Sequence, residues 1–414
     1  MRSGGYVDNI DQVNVDSVMS SQLTAAEAAA RLGVQRSTLY AYVSRGLIAR
    51  TVALDGRTSL FDAEEVEQLR AGRRSTTEGQ LATLITTRLT QVTPNGLLIR
   101  GKNVDELLDG DALFESAVDH LWDARSEQRW PKEDKDRGPF PLEKIASDSM
   151  RPLDRLRIVT SLCSSADPLR HDLSVQSVQA IGRELITAMV LGLPHASRRS
   201  SVRAKSSLSD QLWFRLTSRK GSSEQRRALN AALVVLIDHG LAGSTFAARV
   251  AASVRADPYS VVLAGLGALG GALHGAASAP VHELFAEAYK SMDVAGAIGH
   301  AQQSHRRLPG FGHSVYHATD PRCGPLMDRI RSGWDQDPRL DVISEVERVV
   351  SSRSDTFPNI DFALGALSWL SHMAPNAGEA IFAISRSAGW LAHASEEYAE
   401  QPLRFRSRAR YISD

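Results

Sequence analysis

LIDHGLAGSTFAARVAASVRADPYSVVLAGLGALGGALHG, residues 236–275, is the stretch on which the fold turns. It holds most of the chain's longest apolar run, VVLAGLGALGGALHGAASAP, which is built of Gly and Ala around His274 and ends at Pro280. Small residues let helices approach closely in a protein core, whereas a lipid-facing span favours Leu, Ile and Phe. The run therefore reads as close-packed helix in a water-soluble fold and not as a membrane span. From about residue 80 to the end the pattern stays helical, with few β-branched alternating runs and no repeat of fixed period. The expected fold class is mainly α.

A length of 414 residues leaves room for two domains or more. There are 48 basic and 48 acidic residues, which excludes a globally basic nucleic-acid binder but not a local basic module. Cys163 and Cys323 are the only cysteines, too few for a disulfide framework or a cysteine-rich metal site. The polar opening MRSGGYVDNIDQ carries no charged-then-apolar signal, so a cytoplasmic protein with no membrane partner is expected. Residues 1–21 read as a flexible arm. Two stretches interrupt the helical pattern. ARSEQRWPKEDKDRGPFP (124–141) is charged and broken by proline, and ASRRSSVRAKSSLSDQLWFRLTSRKGSSEQ (196–225) is rich in Ser, Arg and Lys. Both read as exposed loops, the second partly disordered and basic enough for a phosphate contact.

Residues 22–75 form a separate module. LTAAEAAARLGVQRSTLYAYVSRGLI (23–48) has a helix-turn-helix pattern: Thr24 caps a helix with Ala28 and Leu32 on its apolar face, and Gly33 makes the turn. Ser37 is expected to cap a second helix reaching about Arg45, with Leu39, Val43 and Leu47 inward. Arg36, Ser37, Thr38, Tyr40 and Tyr42 then lie at or near the exposed face. ARTVALDGRTSLF (49–61) reads as a hairpin turning at Asp55-Gly56, and Asp62 caps AEEVEQLR. The module resembles the MerR-like or excisionase-type DNA-binding domain, a small winged helix-turn-helix. That resemblance implies DNA as a partner, with Arg36, Ser37, Thr38 and Tyr40 on a recognition helix and Arg50 and Arg57 of the hairpin on phosphates. The alternative is a fold kept for packing or regulation, its charge offset by Glu64, Glu65 and Glu67.

Three stretches of the C-terminal half each place an acid or base on an unusual frame. In GLGALGGALHGAASAP (265–280), His274 is flanked by residues small enough for backbone or substrate to come close. In RRLPGFGHSVYHATDPR (306–322), His313 ends a Pro-Gly-Phe-Gly loop, and Asp320-Pro321-Arg322 turns an arginine toward the same region. In FPNIDFALGAL (357–367), Asp361 stands between Ile360 and Phe362 at a helix start, where an acid must be paired, protonated or functional. Taken singly, each has a plain structural reading as a core histidine, a turn and a helix cap.

Together, in this order, they resemble the citrate synthase family, whose segments read GPLHGGAN, GFGHRVY…DPR and NVDF. The resemblance spreads over most of 83–414, through TPNGLLIRGKNVDELL (93–108), the opening stretch 236–275, RSAGWLAHASEE (386–397) and RFRSRARY (404–411). It implies large and small helical domains over 80–414, the small one inserted at about 240–360. It also implies condensation of acetyl-CoA or propionyl-CoA with oxaloacetate. Asp361 would be the base at the thioester α-carbon, His274 the hydrogen-bond donor to its carbonyl, and His313 the proton donor to the oxo acid. His239, Arg322, Arg386 and Arg406 would bind the oxo acid, since guanidinium forks fit carboxylates. Arg406 would come from the other subunit of a homodimer, and Leu308, Pro309, Gly310, Phe311 and Gly312 would meet coenzyme A. Coenzyme A would enter as substrate, with no bound cofactor and no metal.

The pattern departs from the family at Gly240 and Ala242, where HELN is usual, at Ser278, where HGGAN ends in Asn, and at His317, where a basic residue is common. A citrate synthase and a 2-methylcitrate synthase differ by one methylene in an apolar pocket, a preference of only about 1–3 kcal/mol. Two other readings stand beside the enzyme: a metabolite-sensing DNA-binding regulator, and thioester cleavage in the reverse direction.

Overall fold

In the computed structural model, residues 22–44, 48–53, 58–70, 85–93, 96–124, 130–131, 147, 149–197, 206–271, 274–305 and 307–405 are described, and the chain divides between Ile85 and Thr86 into two units. The first begins with β1 (Gln22–Thr24) and α1 (Ala25–Leu32). Thr24 caps α1 reciprocally: its hydroxyl accepts from the Glu27 N–H at 3.4 Å, and the Glu27 carboxylate accepts from the Thr24 N–H at 2.8 Å. Gly33 closes the helix at φ 67°, a conformation that costs glycine little. α2 (Arg36–Ser44) starts one residue before the expected cap. The Gln35 carbonyl accepts the N–H groups of Thr38 and Leu39, so Ser37 lies within the first turn and caps nothing.

β2 (Thr51–Val52) and β3 (Ser59–Asp62) form the expected hairpin, whose turn, with Asp55, Gly56 and Arg57, lies outside the described residues. β1 adds a third antiparallel strand beside β3, too short to be read from the sequence. Asp62 caps α3 (Ala63–Arg70) by accepting from the Glu65 N–H at 3.1 Å. The unit's core is Leu23, Ala28, Ala29, Leu39, Ile48, Phe61 and Val66. Tyr42, expected at or near the exposed face, is half-buried and packs against this core. Glu65 accepts from the Ala49 N–H at 2.9 Å and Glu67 lies 3.6 Å from Arg31, so both acids are engaged within the unit.

The second unit opens with an antiparallel sheet of β4 (Thr90–Thr93), β5 (Gly96–Ile99) and β6 (Lys102–Asn103). Leu97 and Ile99 are its buried alternation, a period-two signal of only two residues that the helical reading passed over. Helices follow: α4 (Val104–Leu108), α5 (Phe114–Trp122), α6 (Pro152–Ala166), α7 (Val175–Leu191), α8 (Leu208–Leu216), α9 (Ser223–Leu236), α10 (Gly243–Ser253) and α11 (Pro258–Leu269). After these come α12 (Ser278–Ser291), α13 (Val294–Ser304), α14 (Cys323–Gly333), α15 (Arg339–Ser351), α16 (Ile360–Leu370) and α17 (Ala377–Ala399).

α17 is the axis of this unit. It is buried without a break from Ala377 to Ala394, as a helix lacking a polar face must be. α6, α7, α9, α10 and α11 pack around it, while α12 to α16 pack chiefly on one another and join the rest through α9 and α14. Residues 240–360, expected as an inserted subdomain, span parts of both groups. The small residues of the opening stretch have a steric purpose: a Cβ on Gly265 would lie 2.5 Å from the Trp390 ring.

The two expected loops need correction where they are described. Within 196–225, Ser207 caps α8, and Leu208, Leu212 and Trp213 are buried at helical spacing. Of its described cations, Arg215 is buried and donates to the Val190 carbonyl at 2.8 Å, while Arg219 and Lys220 are exposed. Within 124–141, Trp130 is half-buried and stacks on Trp122 at 6.2 Å between centroids. Residues 198–205 and most of 124–141 lie outside the described residues, as does the arm 1–21. No described helix is long and apolar enough to cross a membrane.

Candidate active site

Asp361 occupies the first turn of α16, held there by its neighbours. Asn359 caps the helix, its carbonyl oxygen accepting from the N–H groups of Asp361 at 2.9 Å and Phe362 at 3.4 Å. The same side chain donates through Nδ2 to the Gly312 carbonyl at 2.8 Å, and its backbone N–H donates to the Gly310 carbonyl at 2.9 Å. The Gly312 N–H donates to the Phe357 carbonyl at 2.8 Å. Gly310 and Gly312 have φ of 80° and 73°, and a Cβ on Gly310 would meet Val281 at 2.9 Å. The loop bearing His313 is thereby laced to the helix start bearing Asp361.

Asp320 adds a third strut. It accepts from the Ile360 N–H at 3.0 Å and holds Arg322 in a two-point pair at 2.9 and 2.8 Å. The Asp361 carboxylate itself receives no hydrogen bond or ion pair from a described residue. Burial pushes its pKa up to about 6, against the opposing pull of the Arg322 cation and with a smaller push from Asp320.

His313 accepts at Nδ1 from the N–H groups of Val315 at 3.1 Å and Tyr316 at 3.3 Å. A nitrogen that accepts twice carries no proton, so the ring's N–H is at Nε2. Burial and then Arg322 hold its pKa below the usual range. His239 lies edge-on to it, 5.3 Å between centroids, and meets the Tyr316 hydroxyl at 2.8 Å through Nε2. Burial, then the Arg322 and Arg386 cations, drive the His239 pKa far down, so this ring is neutral.

His274 sits on the short turn leading into α12, its Nε2 2.8 Å from the Ser244 hydroxyl of α10. That buried hydroxyl has no other described partner, so it donates and leaves the imidazole proton on Nδ1. Phe382 of α17 meets the ring edge-on at 5.8 Å, and the Arg386 guanidinium lies over Phe382 at 4.5 Å. Arg386 is 1% exposed, donates through Nε to the Leu236 carbonyl at 2.8 Å, and leaves Nη2 buried with no partner among the described residues. Burial lowers its pKa to about 10. Both arginines thus keep donors unspent, although two nitrogens of Arg322 are taken by Asp320.

Other expected site residues stand differently. Phe311 is buried against Phe362, 5.2 Å between centroids, so its side chain faces the core and not a ligand. Leu308 and Pro309 are half-buried and His317 is exposed. Arg406 lies outside the described residues. Ala242 occupies the cap position of α10 without a side-chain cap bond. In the first unit Arg36, Ser37 and Arg50 are exposed and Thr38 is half-buried, while Tyr40 donates to Ser59 at 3.1 Å and packs edge-on to Phe61. Sequence reading missed Ser244, Tyr316, Phe382 and Asn359. Only Asn359, a good capping residue next to Ile360, carried a local signal. Among the described residues no group of His, Cys, Asp and Glu could hold a metal ion.

Residues 80–408 match the profile described as citrate synthase, C-terminal domain, and residues 23–74 that of a helix-turn-helix domain. The chain belongs to the citrate synthase family. Among its relatives, the citrate synthase of Haloferax volcanii is 28% identical, covering 77% of this chain and 90% of its own. Citrate synthase 2 of Bacillus subtilis is 28% identical over 81% and 94%, and 2-methylcitrate synthase 1 of Corynebacterium glutamicum 25% over 77% and 90%. The fold is shared with the Thermoplasma acidophilum citrate synthase solved in ternary complex with carboxymethyl coenzyme A and oxaloacetate. That likeness has a TM-score of 0.66 at 22% identity, covering 82% of this chain and 97% of the other. Thermotoga maritima citrate synthase is similar at a TM-score of 0.65, 22% identity, 82% and 96%. Membership of this family makes the chain an enzyme of acyl-CoA condensation with oxaloacetate, with the thioester as substrate and not cofactor.

Proposed function

We propose that this family member joins the α-carbon of acetyl-CoA or propionyl-CoA to the keto carbon of oxaloacetate and then hydrolyses the citryl-type thioester. The observation that carries the reading is Asp361: a carboxylate held in place by backbone ties, with no partner among the described residues and its pKa raised to about 6. Such a group is poised to take a proton near neutral pH. Asp361 removes the α-proton, and the Nδ1–H of His274 donates to the thioester oxygen that becomes the enolate. The enolate carbon attacks the keto carbon, and His313 gives its Nε2 proton to the oxygen that would otherwise become an alkoxide. His239 and the spare donors of Arg322 and Arg386 hold the dicarboxylate. Arg406 of the second subunit completes that grip in a homodimer, and the backbone of 308–312 meets coenzyme A. Val254 at 55% and Leu403 at 63% exposure, next to the Leu403 N–H to Ser253 carbonyl bond, leave apolar surface for such a partner.

The first unit supports a second role. Arg36 and Ser37 of α2 and Arg50 beside β2 are exposed together, which suits a major-groove helix with a phosphate-contacting hairpin. We read the protein as an enzyme joined to a DNA-binding module, in the cytoplasm, and not as a sensor alone, because binding alone has no use for Asp361. The test is release of free thiol from each thioester, with and without oxaloacetate. Oxaloacetate-dependent release is expected from at least one, and none from either would reject the enzyme. Selection of genomic fragments at fixed salt tests the module: a sequence preference weakened by Arg36→Ala is expected, and binding without preference, unchanged by that substitution, argues against it.

A further inference from the structure

The phenol of Tyr316 has no place in the mechanism so far, yet it lies between two of its histidines. The residue is 1% exposed, and its ring lies on His313 at 4.6 Å between centroids with 32° between planes. Its hydroxyl has one described partner, Nε2 of His239 at 2.8 Å. Two arrangements fit that distance. Either the phenol donates to a bare Nε2, or an Nε2–H donates to the phenol oxygen. The second leaves a buried O–H with no acceptor, a loss comparable to a broken hydrogen bond. The first satisfies both groups and moves the imidazole proton to Nδ1. Burial lifts the phenol pKa to about 12, so the hydroxyl keeps its proton at any working pH.

We propose that Tyr316 is a positioning residue that fixes neutral His239 as its Nδ1–H tautomer, so that this ring meets the oxo acid as a hydrogen-bond donor. The substrate half of this statement rests on the condensation reading above; the tautomer half rests on geometry alone. The two neighbouring imidazoles are then locked in opposite senses. Two backbone N–H groups hold the His313 proton at Nε2, and one phenol holds the His239 proton at Nδ1. Each neutral ring keeps a single donor, and neither competes with the arginines for a proton. An imidazole free to flip between tautomers would present a lone pair to a carboxylate for part of the time and repel it.

The experiment is imidazole nitrogen NMR on the full chain labelled with ¹⁵N-histidine, with His239 assigned by loss of its signals in His239→Gln. A pyrrole-type Nδ1 and an imine-type Nε2 are expected for His239, with Tyr316→Phe moving both toward averaged or reversed positions. An Nε2–H in the unsubstituted protein overturns the proposal even if Tyr316→Phe does not fold, and so does an unchanged His239 in a folded Tyr316→Phe. Kinetics read the substrate half. Tyr316→Phe should raise KM for oxaloacetate about tenfold, the scale of one lost oriented hydrogen bond, and leave KM for the thioester unchanged. Equal effects on both overturn that half. An unsubstituted protein that turns over no thioester defeats the condensation reading, while the NMR result still decides the tautomer.

Discussion

Asp361 shows how a single residue trades stability for chemistry. Its folded pKa of about 6 lies above the 3.8 of an ordinary Asp, so its ionisation opposes folding. The stability associated with the neutral acid is fully present below pH 3.8 and is lost as the pH rises through about 6. Asp361→Asn, which cannot ionise, should therefore be more stable than the natural chain above that range, by about 1–3 kcal/mol in denaturant unfolding. The gap should close toward pH 4. The same substitution should lower the condensation rate by about 10²–10⁴. In the natural chain kcat/KM should fall as pH drops through about 6, where the base becomes protonated. These roles were partly legible in the sequence, because an acid between Ile360 and Phe362 and a histidine after Gly-Phe-Gly are odd in their settings. Ser244, Tyr316 and Phe382 were not legible, since each is ordinary in its own stretch and acquires a role only when α10 and α17 bring distant chain together.

At the scale of elements, sites are positioned by close packing and by caps. Gly265→Ala would push a methyl into the Trp390 ring, which lies 2.5 Å from the added carbon, and should cost about 1–3 kcal/mol through overpacking. α12 and α16 are joined through a neutral histidine, with His282 Nδ1 at 2.9 Å from the Ser368 hydroxyl. Burial lowers the His282 pKa from 6.5 to about 4, so its contribution is present above 6.5 and is lost as pH falls toward 4. His282→Gln should flatten that part of the acid-unfolding curve. Helix caps at Thr24 and Asp62 could be read from sequence because a cap is local. The cap misassigned to Ser37 shows the limit, since two adjacent polar residues compete and the backbone of Gln35 decides.

At the scale of the molecule, the mainly helical class followed from the small-residue stretch and from the scarcity of alternating runs. The β4–β6 sheet and α8 were hidden, the first by its brevity and the second by the Ser, Arg and Lys around a short apolar face. Each of the two units has its own core. Thr24→Ala should destabilise the first unit by about 1 kcal/mol and leave thiol release unchanged. The most direct test of the central claim is thiol release from acetyl-CoA or propionyl-CoA on addition of oxaloacetate, measured for the natural chain beside folded Asp361→Asn. Oxaloacetate-dependent release by the natural chain and its near-complete loss in the variant are predicted. Equal release by both would contradict the account.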